Sequence, residues 1–379
     1  MVRKLSADSD IRQLLHLIGC DQRGIDIMLQ KAHKEFYYIK GLSCGAANIL
    51  KQDALSIGAE LAMNANVPNC DVSKTNALLF ATKAELKQLI KKESQQPFGL
   101  RKLAQSLERF SDHKRDRPKV MGIININNDS FNYLSHTAPN ETVNKAQKMI
   151  DDGAEFIDIG AVSSRPGSVA VSPQEELGRL KIAIDEIYKT GLYNHAIFSL
   201  DSYEPLPIKY ALDHGFGFIN DITGGVNSEV LSLAREYNAY LCVMHMLGNP
   251  LTMQQNPQYD DVVDSVECFF ADRVTSAGKA GINKIVLDVG IGFGKTLADN
   301  LRLIKAHSHF LHFGFPILIG ASCKSIVHDI SPAEVSERVA GSIALHLKAV
   351  ECGASIVRCH NVFEHVQALK VWQAATDII

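Results

Sequence analysis

Residues 196–201 read AIFSLD: four apolar positions and a serine, then a carboxylate at Asp201 where the run stops. The same figure recurs eight times between Lys119 and Val371. VMGII runs into Asn125, EFIDI carries Asp158, and AIFSL meets Asp201. GFI leads to Asn220 and Asp221, YLCVM to His245, and KIVL to Asp288. PILIG precedes Ser322 and Lys324, and SIV precedes Arg358 and His360. Each run is followed by a stretch with helical periodicity, so the pattern predicts alternating strands and helices. Eight such units predict a parallel sheet closed into a TIM (β/α)8 barrel rather than an open doubly wound sheet. In a closed barrel the C-terminal strand ends share one face, so residues far apart in sequence gather around one substrate.

The chain of 379 residues exceeds the roughly 250 of one such barrel by a small domain. The segment Glu108–Pro118, ERFSDHKRDRP, is dense in charge and ends at proline, which suits an exposed connection. The expected division is therefore residues 1–117, a small mixed α/β domain, and residues 118–379, the barrel. Within the first, Ile49, Leu50, Ala54, Ile57 and Leu61 predict one helix ending before Val67-Pro68-Asn69. Ala77–Phe80 predict a buried strand, and Thr82 with Glu85 a capping box. Nothing in this domain reads as catalytic; Lys51, Asp53 and Glu60 read as a solvated helix face. In the barrel, Ser172-Pro173 and Ser331-Pro332 each predict a helix start.

Thirty-nine basic against forty-two acidic side chains give a net charge of −3, which offers nothing to nucleic acid. No apolar run approaches the roughly 18 residues needed to span a bilayer. The eight cysteines show no paired spacing, so neither a zinc site nor a disulfide framework is expected, and reduced thiols in a cytoplasmic protein are.

The strand-end residues define the chemistry. Asp201, Asp221 and Asp288 with Asn220 and Asn125 are acceptors suited to the N–H groups of a flat heterocycle or to a divalent metal. Lys324, Arg358 and His360 follow the last two strands, where barrels often bind phosphate. Acids on one flank and cations on the other suit a heterocycle carrying a phosphate. His245 reads as a structural hydrogen-bonding residue. Gly290-Ile291-Gly292-Phe293-Gly294-Lys295-Thr296 lacks the spacing of a P-loop, with Val289 where the first glycine is needed, and reads as a turn whose backbone passes close to a ligand.

From about Pro118 onward the chain resembles the dihydropteroate synthase family. The matching fragments run in family order: Met121–Asn125 with Asp129-Ser130-Phe131, Asp158-Ile159-Gly160, Ser163–Gly167, Ser199–Ser202, Asn220-Asp221 and Met244-His245. Next come Gly248-Asn249-Pro250 to Met253-Gln254, Asp288 with Gly290–Thr296, Gly320-Ala321-Ser322 with Lys324-Ser325, and Arg358 with His360. The N-terminal extension resembles one found in certain bacterial members. The resemblance implies condensation of 6-hydroxymethyl-7,8-dihydropterin diphosphate with p-aminobenzoate, releasing pyrophosphate. It implies Asp201, Asn220, Asp288 and Lys324 around the pterin, with Met244 on its ring and Asp221, Phe293, Gly320 and Phe131 lining the site. It further implies Asn125 as a Mg²⁺ ligand, Arg358 and His360 as anion contacts, Ser325, Ser164, Arg165 and Pro166 beside p-aminobenzoate, and a homodimer. Departures from the family pattern are Asn127-Asn128, Tyr133, Val162, Val289, Cys323 and Asn361. They leave two alternatives to weigh: a degraded pterin-binding paralogue serving as a partner or regulator, and a pterin-binding methyltransferase module. The second has no use for Lys324-Ser325 or the Arg358 and His360 grip.

Overall fold

The structure is a computed structural model; it describes residues 2–6, 9–110, 117–126, 141–162 and 171–376, together with the backbone of His136–Thr137. The chain divides into two compact units, Met1–Lys114 with Gln373–Ile379, and Arg115–Trp372. The sequence reading gave residue 379 to the barrel. The helix Val362–Thr376 runs across that boundary without a break, and its periodicity carries no mark of where one unit ends.

In the smaller unit, strands β1 (Lys34–Ser43), β2 (Glu60–Met63) and β3 (Lys74–Thr82) form an antiparallel sheet in the order β1-β3-β2. Alternation places Ile39, Leu61, Ala77 and Leu79 on one face, against Leu50, Ala54, Leu86 and Leu89 of the helices Cys44–Ser56 and Lys83–Glu93. The capping box stands as expected: Glu85 N–H donates to Thr82 Oγ1 at 3.3 Å and Thr82 N–H to the Glu85 carboxylate at 2.8 Å. The helix expected to run through Leu61 stops at Ser56. Gly58 takes φ +88°, a conformation open to glycine, and turns the chain so that Leu61 lies in a strand instead.

The cysteine reading also needs correction, because Cys44 and Cys70 form a disulfide across 26 residues. Cys44 opens a helix and Cys70 lies in the turn before β3; Cys44 N–H donates to Ser73 O at 3.2 Å, so the backbone brings the two together. Their wide separation left no pattern in the sequence.

The larger unit is a closed barrel of eight parallel strands: β4 (Lys119–Ile126), β6 (Phe156–Gly160), β7 (Ile197–Asp201), β8 (Phe218–Asp221), β9 (Tyr240–Met244), β10 (Ile285–Asp288), β11 (Ile317–Ile319) and β12 (Ile356–Cys359). Pairing of β12 with β4 closes the ring, and a two-residue strand β5 (His136–Thr137) lies outside β4. The period of two then sorts the side chains. Met121, Phe156, Phe218, Cys242, Val286, Leu318 and Ile356 fill the interior as one cluster. The opposite parity, including Ile157, Phe198, Ile219, Leu241, Leu287, Ile319 and Val357, packs in the outer core with the helices.

Helix starts divide into one expected and one not. Ser172 Oγ accepts from Glu175 N–H at 3.2 Å, with Pro173 opening the helix Pro173–Thr190. Ser331, by contrast, ends the helix Ser325–Ile330 in an extended conformation, as a residue before proline favours. The next long helix, Val339–Glu351, begins eight residues further on. Among the described residues no helix is long and apolar enough to cross a membrane.

Candidate active site

The functional side chains lie two or four positions beyond the interior layer, and parity explains why they face inward. Asp158 follows Phe156 by two, Asn220 follows Phe218, Met244 follows Cys242, Asp288 follows Val286, Gly320 follows Leu318 and Arg358 follows Ile356. Asp201 stands two beyond Ser199, and Asn125 four beyond Met121, half-buried at the end of β4.

Arg358 is the centre of the polar network. Its Nε donates to Asp158 Oδ2 at 2.6 Å and its Nη2 to Asp201 Oδ2 at 2.8 Å. Asn220 Nδ2 donates to the same Asp158 oxygen at 2.9 Å, and Ser199 Oγ to the other at 2.5 Å. The expected separation into an acid flank and a basic flank is therefore incomplete, since Arg358 lies among the acids. Opposite charges buried this close attract strongly. Gly320 lies beside this network: a Cβ there would meet Arg358 Cδ at 4.0 Å, an ordinary contact.

Burial raises the pKa of Asp201, while Arg358 pulls it back and Asp158 and Glu176 push it further up. Asp288 is likewise raised by burial, against the pull of Lys324 and of the Gly290 N–H that donates to its Oδ1 at 2.8 Å. Lys324 is lowered to about 8 by burial, with Asp288 acting to keep it charged. Its Nζ donates to Ile291 O at 2.6 Å and sits 4.7 Å from the centre of the Phe293 ring, a cation–π contact. Ser322 Oγ is within hydrogen-bond distance of His360 Nδ1, 3.0 Å, and accepts from His360 N–H at 3.2 Å, which ties the ends of β11 and β12 together. Ser325 opens the short helix after Lys324 and is exposed.

Asp221 does not belong to this mouth. One residue beyond Asn220, it has the opposite parity, and its carboxylate holds its own loop. One oxygen accepts from Thr223 N–H and Thr223 Oγ1, both at 2.7 Å, and the other from Gly225 N–H at 3.0 Å. A residue at the end of a strand is easily credited to the site when its parity is ignored.

The glycine-rich turn after Asp288 serves the fold in a way the sequence reading missed. Gly290, Gly292 and Gly294 all take positive φ. A Cβ at Gly290 would stand 1.9 Å from His245 O, so the close approach is to the end of β9 rather than to a ligand. Lys295, only 3% exposed, donates from Nζ to Gly290 O and Phe293 O at 2.9 Å and to His245 O at 3.2 Å. A buried lysine surrounded by three carbonyls is a clamp, and burial lowers its pKa to about 7. His245 is buried with its ring edge-on to Phe269 at 5.2 Å, and burial lowers it to about 3, a neutral structural histidine. Ser164, Arg165, Pro166, Phe131, Asn127, Asn128 and Tyr133 lie outside the described residues. Cys323 takes φ +55°, donates its N–H to Ser342 Oγ at 2.9 Å and accepts from Arg338 Nη1 at 3.3 Å, so its backbone sets the turn that presents Lys324.

Residues 121–360 match the pterin-binding enzyme family. The dihydropteroate synthase of Escherichia coli strain K12 is 38% identical over 260 residues, 68% of this chain and 91% of that protein. The chain belongs to the dihydropteroate synthase family of pterin-binding enzymes. Its activity is the family's, a transferase reaction that makes dihydropteroate. Among solved structures, the Yersinia pestis dihydropteroate synthase in a sulfonamide drug complex superposes with a TM-score of 0.65 at 37% identity, covering 69% of this chain and 95% of that one. The Xanthomonas albilineans enzyme with 4-aminobenzoic acid gives 0.64 at 35%, covering 70% and 95%. A Helicobacter pylori protein described as a bifunctional dihydropteroate synthase/dihydropteroate reductase is 36% identical over 381 residues, spanning 100% of this chain and 99% of that protein. These relatives are synthases, and none is a methyltransferase.

Proposed function

We propose that the barrel mouth joins 6-hydroxymethyl-7,8-dihydropterin diphosphate to p-aminobenzoate through the following division of labour. Asp288, Asn220 and Asp201 accept hydrogen bonds from the amino and ring N–H groups of the pterin, contacts roughly twice as strong as neutral ones where a carboxylate is involved. Lys324 donates to the opposite ring edge, Met244 packs on the ring, and Phe293 closes beside Lys324. Arg358 and His360 neutralise the diphosphate as it leaves. The C–O bond to diphosphate breaks, the arylamine nitrogen bonds to the exocyclic methylene, and the amine proton passes to water. A free arylamine is nucleophilic near neutral pH, so positioning and charge stabilisation supply the acceleration, and no general base is needed to start. Ser325, Ser164, Arg165 and Pro166 flank p-aminobenzoate.

One amide oxygen, Asn125, suits Mg²⁺, which keeps most of its waters and takes one or two protein ligands beside substrate phosphate. Among the described residues no group of three His, Cys, Asp or Glu competes for that part. Bound there, the ion would offset charge on the departing diphosphate. The observation that carries the reading is the convergence of Asp201, Asn220, Asp288, Lys324 and Arg358 at one end of the barrel. The test is turnover: with Mg²⁺ and both substrates, the purified chain should release pyrophosphate, and a sulfonamide should compete with p-aminobenzoate. Tight pterin binding without pyrophosphate would favour the degraded paralogue. We place the chain in the cytoplasm as a homodimer, a state that mass measurement in solution checks.

A second reading concerns residues 1–117. The bifunctional relative matches 100% of this chain, whereas the E. coli synthase matches 68%. We propose that the smaller unit accompanies a reductase activity on the product, hydride going to a ring C=N bond and a proton coming from water. Full-length chain, dihydropteroate and reduced nicotinamide or reduced flavin in separate arms should yield tetrahydropteroate; no product in either arm contradicts this.

A further inference from the structure

Asp158 is 0% exposed, beneath the groups assigned to the pterin, and so cannot reach a substrate itself. Both its oxygens are nevertheless occupied by side chains that matter to the site. Oδ2 accepts from Asn220 Nδ2 at 2.9 Å and from Arg358 Nε at 2.6 Å, and Oδ1 from Ser199 Oγ at 2.5 Å. These contacts join four strands, β6, β7, β8 and β12, at one level of the barrel.

The consequence for Asn220 is directional. An amide presents a donor at one end and an acceptor at the other, and reversing it would set two oxygens 2.9 Å apart against a carboxylate. Asp158 therefore fixes the Nδ2 end inward and leaves Oδ1 as the acceptor for a ligand. Arg358 is fixed in the same way: with Nε held by Asp158 and Nη2 by Asp201, its guanidinium plane has one setting across the mouth. We infer that Asp158 is the positioning residue of the pterin pocket, selecting the acceptor face of Asn220 and the plane of Arg358 without touching the substrate. This rests on the synthase reading and adds to it how the pocket is made to prefer an N–H-rich heterocycle.

Asp158→Leu tests it, because a side chain of similar size then offers no acceptor where three donors converge. Misplacing Asn220 and Arg358 should raise the KM for pterin diphosphate by about a hundredfold, on the scale of other small misplacements. The KM for p-aminobenzoate, measured at saturating pterin, should stay unchanged. A loss of folded chain alone would lower the active fraction and leave both KM values unchanged. If the single variant fails to fold, Ser199→Ala, which frees one oxygen of Asp158, should raise the pterin KM severalfold and leave the other unchanged. An unaltered pterin KM in Asp158→Leu or in Ser199→Ala overturns the inference. A wild-type chain that releases no pyrophosphate sinks the synthase reading instead.

Discussion

Asp158 in the barrel and Glu93 in the smaller unit are both 0% exposed, yet the chain treats the two acids differently. Asp158 has three donors, one of them the guanidinium of Arg358. Glu93, at the end of the helix Lys83–Glu93, has neither oxygen hydrogen-bonded to a donor among the described residues and faces another acid, Asp53. Asp53 draws on Lys92 Nζ at 3.1 Å and Gln96 Nε2 at 3.0 Å. Burial, then the charge of Asp53, pushes Glu93 up to about 7, so it keeps its proton and shares it with its neighbour. At Asp158 the buried acid is met by donors and a cation; at Glu93 the buried acid meets another acid and is pushed toward its neutral form.

Removing the pairing cation should break the comparison most strongly. Arg358→Met leaves Asp158 and Asp201 facing each other without compensation, and the expected loss is about 3–5 kcal/mol in denaturant titration, together with pterin binding. A smaller effect belongs to the other unit. Reducing Cys44–Cys70, which closes a 26-residue span, should lower the hydrogen-exchange protection of β3 by about 3 kcal/mol and leave β10 unaffected.

Glu93 then sharpens the contrast through pH. The folded chain holds this proton up to about 7 while the unfolded chain releases it near the ordinary 4.5, so between those limits the unfolded state binds fewer protons. The contribution of Glu93 to the stability of the smaller unit is therefore greatest below about 4.5, falls as pH rises, and levels off above about 7, a change on the order of 3 kcal/mol. Glu93→Gln should remove that slope and make the unit more stable at pH 8, read from exchange in β3. Smallest is Thr82→Ala, which deletes one cap of the helix Lys83–Glu93 and should cost about 1 kcal/mol in the same measurement.

Much of this architecture was legible because it is written in short-range patterns. Eight apolar runs with polar stops gave the barrel, and Thr82 with Glu85 and Ser172 with Pro173 gave two helix starts, since each depends on residues within one turn. Asp201, Asn220, Asp288 and Arg358 were legible as strand-end residues, and the fold brings them to one end of the barrel. What escaped depends on contacts across the fold. Asp221 differs from Asn220 only in parity, and its loop bonds appear once Thr223 and Gly225 are placed. Lys295 read as part of a turn passing close to a ligand and is a clamp on three carbonyls. Asp158 was visible as a strand residue, but not the meeting of Ser199, Asn220 and Arg358 upon it. Counting alternate residues forward from the interior layer would have placed it inside and excluded Asp221.

The most direct test of the account is a calorimetric titration of the pterin diphosphate substrate into the wild-type chain and into Asp288→Asn. Exchanging a carboxylate for an amide puts N–H groups against the donors of the ring, and the account predicts tight binding by the wild type and a loss of about a hundredfold in the variant. Equal affinity in the two chains would contradict it, because the pterin would then not be held by the acid at the end of β10.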